Sequence, residues 1–261
     1  MKVQNQKVLL LQNKLYVSEV FGATIQGEGK RAGKVSLFIR LAKCNMSCSG
    51  FQVKYKVAGK TKFGCDSYYA VDTAFKSTWE ALNSDEIINK VKKLSKLKNI
   101  DIVISGGEPL VYWQNGYFQD ILKYFIKNKH FITIETNGSI DIKINKKYQR
   151  KVMFSIGLKL QNSNEQYTKR ININAINNLL KNSIQSYLKF VVSGKESELK
   201  EILEIKNKVN ILDNNIYLMP LCSTAKELRK IEKKVVQKAI KYNFNYSDRM
   251  HIRLWDNKRK V

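Results

Sequence analysis

The sequence has no long apolar run. Nowhere do about 18 consecutive apolar residues occur, and no short apolar segment near the start precedes a small-residue cleavage site. The first absence excludes a helical membrane span, and the second disfavours secretion. We therefore expect a soluble cytoplasmic protein.

Proline and histidine are scarce. With two prolines in 261 residues, no low-complexity linker and no internal repeat, nothing marks a domain boundary. Because a chain of this length can bury a sizeable core, we predict one domain over residues 1–261. The two histidines, His130 and His251, do not form a paired metal-ligand spacing, which weakens the case for a zinc ribbon.

Acidic residues are outnumbered. The chain has 47 Lys and Arg against 22 Asp and Glu, a formal net charge of +25. Such a charge attracts nucleic acid and anionic surfaces without specificity. However, the lysines are spread over nearly every segment, which indicates a compositional bias rather than a binding groove. No membrane partner is expected, and a nucleic-acid partner is not required.

Three of the four cysteines lie close together in the sequence. Cys44, Cys48 and Cys65 are separated by three and sixteen residues. Cytoplasmic thiols at such spacings indicate metal or catalysis rather than disulfides. Zinc and an iron–sulfur cluster both remain open, since a closed zinc site wants a fourth ligand whereas three thiolates on a cubane leave one iron free. Cys222 is interpreted as a small buried hydrophobe or a bystander near a site.

Apolar periodicity predicts an α/β fold. Short β-rich runs alternate with amphipathic helical stretches of 10 to 15 residues, a pattern typical of right-handed βαβ units and a parallel sheet. A complete or partial β/α barrel fits best, with an open doubly wound sheet as the alternative. We predict a helix from Ser84, its N-cap, to Lys98, a long helix over about 224–242, and a strand over about 250–255. Reactive residues are expected at the carboxyl ends of the strands.

Several motifs occur in an order that is found in one enzyme superfamily. "KCNMSC…FGCD", "ISGGEP" and "IETNG" resemble the motifs of radical S-adenosylmethionine (SAM) enzymes. Within them, "TIQGEG…SLFIRLAKCN…CDS" is similar to the 7-carboxy-7-deazaguanine synthase family. The resemblance runs through nearly the whole chain, to "MHIRLWDNKRKV". It implies a partial (β/α) barrel of the radical SAM type, modified by an insert in the cluster-binding loop, about residues 44–65.

The resemblance also implies two cofactors. Cys44, Cys48 and Cys65 would hold a [4Fe–4S] cluster whose open iron binds the amino and carboxylate groups of SAM. The family's Ser-x-Lys signature is changed here, because Gly157 stands where the serine is expected unless Ser155 replaces it. The residues implied in cofactor binding are Gly106, Gly107, Glu108, Glu135, Thr136, Asn137 and Lys159.

The implied reaction converts 6-carboxy-5,6,7,8-tetrahydropterin to 7-carboxy-7-deazaguanine with loss of ammonia, in the biosynthesis of queuosine-type bases. The resemblance implies a magnesium ion on Ser67, supported by Asp66. The C-terminal strand, with His251 and Arg253, would close the substrate side. The residues implied in substrate binding are Gln26, Gly27, Glu28, Arg40, Ser105, His251 and Arg253.

The resemblance further implies a homodimer and a reductant such as flavodoxin. Two other functions remain open from the sequence. One is a different radical SAM enzyme, such as a glycyl-radical activase, which the "QGEG" and "CDS" motifs disfavour. The other is a zinc–thiolate module that binds nucleic acid, which the net charge and the grouped cysteines motivate.

Overall fold

The computed structural model describes residues 14–261. The strands in this range are β1 (Leu15–Ile25), β2 (Val35–Leu41), β3 (Val53–Val57), β4 (Lys60–Gly64), β5 (Glu80–Leu82), β6 (Asp101–Gly106), β7 (Ile132–Thr136), β8 (Val152–Leu158), β9 (Tyr187–Val192), β10 (Ile216–Pro220) and β11 (Asn245–Tyr246). The α-helices are α1 (Tyr68–Val71), α2 (Ser84–Leu94), α3 (Gly116–Lys127), α4 (Tyr167–Arg170), α5 (Ile173–Lys181), α6 (Glu196–Lys206), α7 (Ala225–Lys241) and α8 (Met250–Trp255).

Nine of these strands form one sheet, in the order β11-β10-β9-β8-β7-β6-β2-β1-β5. From β2 to β11 every pairing is parallel, which confirms the predicted α/β class. β1 differs, because it pairs antiparallel with both β2 and β5. The connection over residues 26–34 is too short for the crossover that a parallel pair needs. Since β5 and β11 end the sheet without pairing to each other, the barrel is partial.

The core extends along the whole sheet. One cluster of buried apolar side chains runs from Leu15 on β1 to Phe244, just before β11. The central strands β6, β7 and β8 are buried at almost every position, as expected for parallel strands that are covered on both faces. A smaller cluster of Phe21, Phe38 and Val103 is separate from the main core.

Helix caps shift two predicted boundaries. α2 begins after Asn83, whose side chain accepts from the Glu86 N–H while the Glu86 carboxylate accepts from the Asn83 N–H. It ends at Leu94, and Leu97, predicted to lie on its apolar stripe, is exposed. The long C-terminal helix is confirmed as α7, with Thr224 as its N-cap. No helix within residues 14–261 has the length and apolarity needed to cross a bilayer.

The insert in the cysteine loop folds into a hairpin. β3 and β4 pair antiparallel and form their own two-stranded sheet. Ala58 and Gly59 both have positive φ, 46° and 75°, which suits the two-residue turn between twisted strands. The ring of Tyr55 stacks on Tyr68 of α1 at 4.2 Å between centroids, and its hydroxyl donates to Asp72 at 3.0 Å. The insert is therefore anchored beside Cys65.

The predicted strand over 250–255 is wrong, because these residues form the helix α8. The apolar residues of "MHIRLW" alternate as in a strand, yet Ile252 is buried while Leu254 is 56% exposed. The N–H of Arg253 donates to the carbonyl of Arg249 at 3.0 Å, a helical bond. The segment packs by one helical face, and the alternation was a coincidence of sequence.

Candidate functional site

A cavity of about 720 Å³ lies where the parallel strands end. Its walls come from the carboxyl ends of β2, β6, β7, β8, β9 and β10, together with β1, the cysteine loop, α8 and the C-terminal residues. Every site residue predicted from the sequence lines this cavity, except Glu108 and Arg253. The topology thus brings together residues from distant parts of the chain.

Three thiols form one wall of the cavity. Cys44 follows β2, Cys48 precedes the hairpin, and Cys65 lies between β4 and α1, all as free thiols. Burial raises the pKa of Cys44 to about 11 and the pKa of Cys65 to about 12, and the charge of Cys48 adds to both shifts. Cys48 is therefore within electrostatic reach of both Cys44 and Cys65. Binding to a metal would ionise them.

The two glycines at the end of β6, Gly106 and Gly107, allow close contact with the start of the cysteine loop. A Cβ on Gly106 would lie 1.9 Å from the Leu41 carbonyl oxygen, and a Cβ on Gly107 would lie 1.9 Å from the Lys43 carbonyl oxygen. The N–H of Gly107 also donates to the Leu41 carbonyl at 3.1 Å. This backbone contact fixes the residues that lead into Cys44.

Glu108 does not line the cavity, and its role in cofactor binding stays a prediction. Its side chain is fully buried and accepts from the Leu110 N–H at 2.9 Å, the Thr136 hydroxyl at 2.8 Å and the Asn137 N–H at 2.7 Å. Burial raises the pKa of Glu108 although these donors oppose the shift. The carboxylate ties the end of β6 to the end of β7.

The side chain of Asn137 continues this tie toward the thiols. Its amide nitrogen donates to Oδ1 of Asn45 at 2.9 Å, and Asn45 lies between Cys44 and Cys48. Its amide oxygen accepts from the Ser139 N–H at 3.0 Å. The end of β7 is therefore joined to the cysteine loop by side-chain hydrogen bonds.

Glu135 lies in a strip of polar side chains that crosses the cavity. Its two oxygens accept from Nε2 of Gln26 at 3.2 Å and from the hydroxyl of Ser105 at 2.7 Å. Oε1 of Gln26 accepts from the Glu28 N–H at 3.1 Å. These side chains form what we call the polar strip: Gln26, Glu28, Ser105 and Glu135. The strip presents donors and acceptors to the same cavity as the thiols.

Glu28 lies beside two cations and one imidazole. Nζ of Lys189 lies 2.5 Å from its Oε2, Nε of Arg249 lies 3.2 Å from its Oε1, and Nε2 of His251 lies 3.8 Å from the same oxygen. Burial disfavours the charged form, but the charges of Lys189 and Arg249 outweigh burial and hold the pKa of Glu28 far below its usual range. Glu28 is therefore a carboxylate at neutral pH.

Arg40 is held by a second buried pair. Its Nε donates to Oε1 of Glu19 at 2.8 Å, and its Nη1 donates to the Ser67 hydroxyl at 2.9 Å. The other oxygen of Glu19 accepts from Arg259 at 3.0 Å, and the Tyr69 hydroxyl donates to Oε1 at 3.0 Å. The guanidinium of Arg40 is therefore fixed in orientation. A ligand can bind to it with little loss of side-chain entropy.

Asp66 and Ser67, the predicted magnesium residues, are adjacent on the cavity wall. Oδ2 of Asp66 accepts from Nη2 of Arg249 at 2.6 Å, and its Oδ1 accepts from the Ser67 hydroxyl at 3.4 Å. Both oxygen groups therefore already have a guanidinium neighbour, one from Arg249 and one from Arg40. A metal bound here would share these oxygens with the two arginines.

The end of β8 leaves space for a larger side chain at Gly157. Ser155 and Gly157 of β8 and Lys159, which directly follows the strand, all line the cavity. A Cβ on Gly157 would have only the Thr136 carbonyl oxygen near it, at an ordinary 3.7 Å. The glycine at the family's serine position is thus not required by packing.

Comparison with known families matches the Radical SAM superfamily model to residues 42–209. This range contains the three thiols and the ends of β6, β7, β8 and β9. The chain belongs to the radical SAM superfamily.

Two relatives of this radical SAM chain match it over almost its full length, and both are named 7-carboxy-7-deazaguanine synthase. The protein from Rhodopirellula baltica is 28% identical over 95% of this chain and 89% of its own length. The protein from Halobacterium salinarum is 28% identical over 93% of this chain and 91% of its own length. Among solved structures, QueE from Escherichia coli covers 94% of this chain and 99% of its own, with a TM-score of 0.65 and 19% identity. That likeness confirms the fold.

Membership of the radical SAM superfamily implies a [4Fe–4S] cluster and SAM as cofactors. The residues present fit this cluster, because three free cysteines share one wall and tight backbone contacts hold the loop that bears them. No group of three His, Cys, Asp or Glu side chains within residues 14–261 is arranged to bind a single metal ion. A cubane does not need such convergence, since each thiolate binds its own iron.

Several residues that line the cavity were not predicted from the sequence. Lys189 interrupts the buried strand β9, and a lysine in "SYLKFVV" was a signal that could have been used. Glu19, Tyr69, Arg249 and Arg259 carried no comparable signal, because their role depends on partners far away in the chain.

Two further residues lie outside the cavity wall. The guanidinium of Arg253 pairs with Asp248 at 2.8 Å and Glu232 at 2.5 Å on the surface, so the structure does not bring it to the predicted substrate side. Cys222 is buried against Leu228 and Ile252. It is a small buried hydrophobe, as one of its two interpretations held.

Proposed function

We propose that this radical SAM protein is a lyase that converts 6-carboxy-5,6,7,8-tetrahydropterin to 7-carboxy-7-deazaguanine with loss of ammonia, in the biosynthesis of queuosine-type bases. Two near-full-length relatives that carry the synthase name support this function. The observation that carries it is the polar strip, which faces the same cavity as the three thiols. A polar bicyclic ligand beside a cluster needs this arrangement.

The polar strip suits the aminopyrimidinone edge of a pterin. That edge presents N–H donors next to a carbonyl acceptor, and ionised carboxylates are strong partners for paired N–H donors. Glu28 is kept ionised by Lys189 and Arg249. Glu135 is held by Gln26 and Ser105, so its position is fixed before the ligand enters.

Arg40 is the proposed partner of the substrate carboxylate. Its Nε and Nη1 bond to Glu19 and Ser67, while the remaining N–H donors of the guanidinium stay available for a ligand. A planar guanidinium can donate two parallel bonds to a carboxylate, which an ammonium cannot do. His251 lies on the same side, and burial lowers the pKa of its imidazole, so it is neutral at physiological pH.

Ser67 is the proposed protein ligand of magnesium, with Asp66 in support. Magnesium keeps waters and takes only one or two protein oxygens beside those of its substrate. The Ser67 hydroxyl has one acceptor position left beyond the bond from Arg40. Because Arg249 neutralises Asp66, the metal is expected to bind weakly without the substrate carboxylate.

The cluster and SAM supply the one-electron chemistry when they are bound, and the chain supplies placement. Gly106, Gly107 and the ends of β7 and β8 form the proposed SAM-binding wall, including Thr136, Asn137 and Lys159. We further propose a cytoplasmic homodimer with one domain per chain, which takes electrons from a reductant such as flavodoxin.

The test is an anaerobic assay of the reconstituted enzyme. Protein, SAM, reductant, magnesium and 6-carboxy-tetrahydropterin should give 7-carboxy-7-deazaguanine, identified by mass, together with ammonia. Formation of 5′-deoxyadenosine with the pterin left unchanged would show that the substrate assignment is wrong. A pterin-binding titration separates this function from a glycyl-radical activase, which has no pterin site.

A further inference from the structure

Arg249 connects three separate segments around the cavity. It is 1% exposed and lies directly before α8. Its Nε pairs with Glu28 at 3.2 Å and its Nη2 pairs with Asp66 at 2.6 Å. Its Nη1 donates to the backbone carbonyl of Cys222, and the guanidinium carbon lies 4.0 Å from the centroid of the Phe51 ring. Each nitrogen and one face of the guanidinium therefore has a partner.

These partners belong to different parts of the site. Glu28 is part of the polar strip, whereas Asp66 directly follows Cys65. Phe51 lies near the start of the insert, next to Gly50, and a Cβ on Gly50 would lie 2.4 Å from the Cα of Cys65. The chain around Phe51 is therefore in contact with a thiol-bearing residue. Through one side chain, the substrate side is joined to the cluster side.

We propose that Arg249 is a positioning residue that couples the pterin seat to the cluster-binding loop, an inference that rests on the proposed function. It acts through Glu28 on one side and through Asp66 and Phe51 on the other. The planar guanidinium of Arg249 donates to the carboxylates of Glu28 and Asp66, which come from different segments, and fixes their orientation relative to each other. A shift of either carboxylate on ligand binding is transmitted to the other.

A second observation supports a positioning role over a purely structural one. Glu28 has another buried cation, because Lys189 lies 2.5 Å from its Oε2. Neutralising Glu28 therefore does not require Arg249. The particular contribution of Arg249 is the link from Glu28 to Asp66, which Lys189 does not make.

The test compares Arg249→Lys and Arg249→Met with Arg229→Met, which removes an exposed arginine of α7. Each protein is reconstituted to equal iron and sulfide. Steady-state assays then give kcat and the KM values for carboxy-tetrahydropterin and for SAM. Electron paramagnetic resonance of the reduced cluster is recorded with and without the pterin.

Arg249→Lys keeps the positive charge but loses the planar guanidinium that reaches both carboxylates. We therefore expect kcat/KM for the pterin to fall about 100-fold, while the KM for SAM changes less than about threefold. The spectrum of the wild-type reduced cluster should change when the pterin is added, and this response should be absent in Arg249→Lys. Arg229→Met should match the wild type in both measurements.

Several outcomes overturn the inference. One is an Arg249→Lys enzyme with wild-type kcat/KM for the pterin, and another is a wild-type cluster spectrum that does not respond to the pterin. If both Arg249 variants fail to fold, Phe51→Leu decides, because it removes only the ring contact. It should raise the KM for the pterin about threefold without affecting the KM for SAM, and no change contradicts the inference. A wild-type enzyme that makes no deazaguanine overturns the proposed function and the inference together, whereas an unaffected Arg249→Lys overturns the inference alone.

Discussion

Replacing Gly107 by alanine should separate the end of β6 from the cysteine loop. The new Cβ would lie 1.9 Å from the Lys43 carbonyl oxygen, while real Cβ contacts are essentially never under 3.0 Å. The two backbone segments must therefore move apart by about 1 Å, because a carbonyl in the main chain cannot rotate away as a side chain can. The same Cβ would lie 3.1 Å from the Cβ of Cys44, so the movement reaches a proposed cluster ligand.

The cost of this separation follows from the bonds at the junction. The Gly107 N–H donates to the Leu41 carbonyl at 3.1 Å, and the Glu108 N–H donates to the Lys43 carbonyl at 2.9 Å. Losing both bonds costs about 2 kcal/mol, and the remaining steric strain brings the expected loss of unfolding free energy to about 3 kcal/mol or more. Displacement of Cys44 should also lower the iron and sulfide content after reconstitution.

The matched control is Gly157→Ala, at the end of β8 in the same cavity. Its Cβ would meet only the Thr136 carbonyl oxygen, at 3.7 Å, so the unfolding free energy should change by less than about 1 kcal/mol. Anaerobic urea denaturation and iron and sulfide analysis measure both effects. If Gly107→Ala unfolds at the same urea concentration as Gly157→Ala and holds a full cluster, the close-contact argument is refuted.

Three other predictions follow from the site. Cys48→Ala should lose the cluster and both 5′-deoxyadenosine and deazaguanine formation, whereas Cys222→Ala should keep its iron content, as measured by metal analysis and product mass. Burial lowers the pKa of His251 below 6.5, so the imidazole of the folded protein binds a proton less readily than that of the unfolded chain. The stabilisation from neutral His251 should therefore be complete above pH 6.5 and decrease as the pH falls below it. Urea midpoints measured between pH 5 and 7 should depend less on pH in His251→Gln. Arg253→Met should keep kcat/KM for the pterin within about twofold and cost at most about 1 kcal/mol of unfolding free energy, because the ion pairs of Arg253 are on the surface. A large loss of pterin binding in this variant would instead support the predicted role of Arg253 in substrate binding.

The regular elements could be predicted because their signal is local. The apolar alternation of β2 and the helical stripe of α7 are each encoded within one short segment. The same rule failed for α8, because a six-residue segment can fit both the strand period and the helix period. Only its contacts with the rest of the protein determine which structure it adopts. The N–H of Met250 donates to the Gly27 carbonyl at 2.9 Å, so α8 is positioned by the loop over residues 26–34.

The cavity residues were predictable only where a motif marked them. Cys44 and Gln26 belong to motifs that can be read directly. Glu108 belongs to a motif too, yet its carboxylate turned inward, because three donors from its own loop and from β7 compete for it. Arg249 could not be found, since its carboxylate partners, Glu28 and Asp66, lie more than 180 residues away in the chain. Burial of charge depends on non-local pairing, which a single sequence does not show.

The two ends of the large sheet have a consequence for handling the protein. The outermost strands, β5 and β11, have only three and two residues. Such short margins expose few free N–H and C=O groups to which another molecule could add a strand. We therefore expect concentrated solutions to resist fibril formation through edge-to-edge pairing, despite a sheet that contains nine strands.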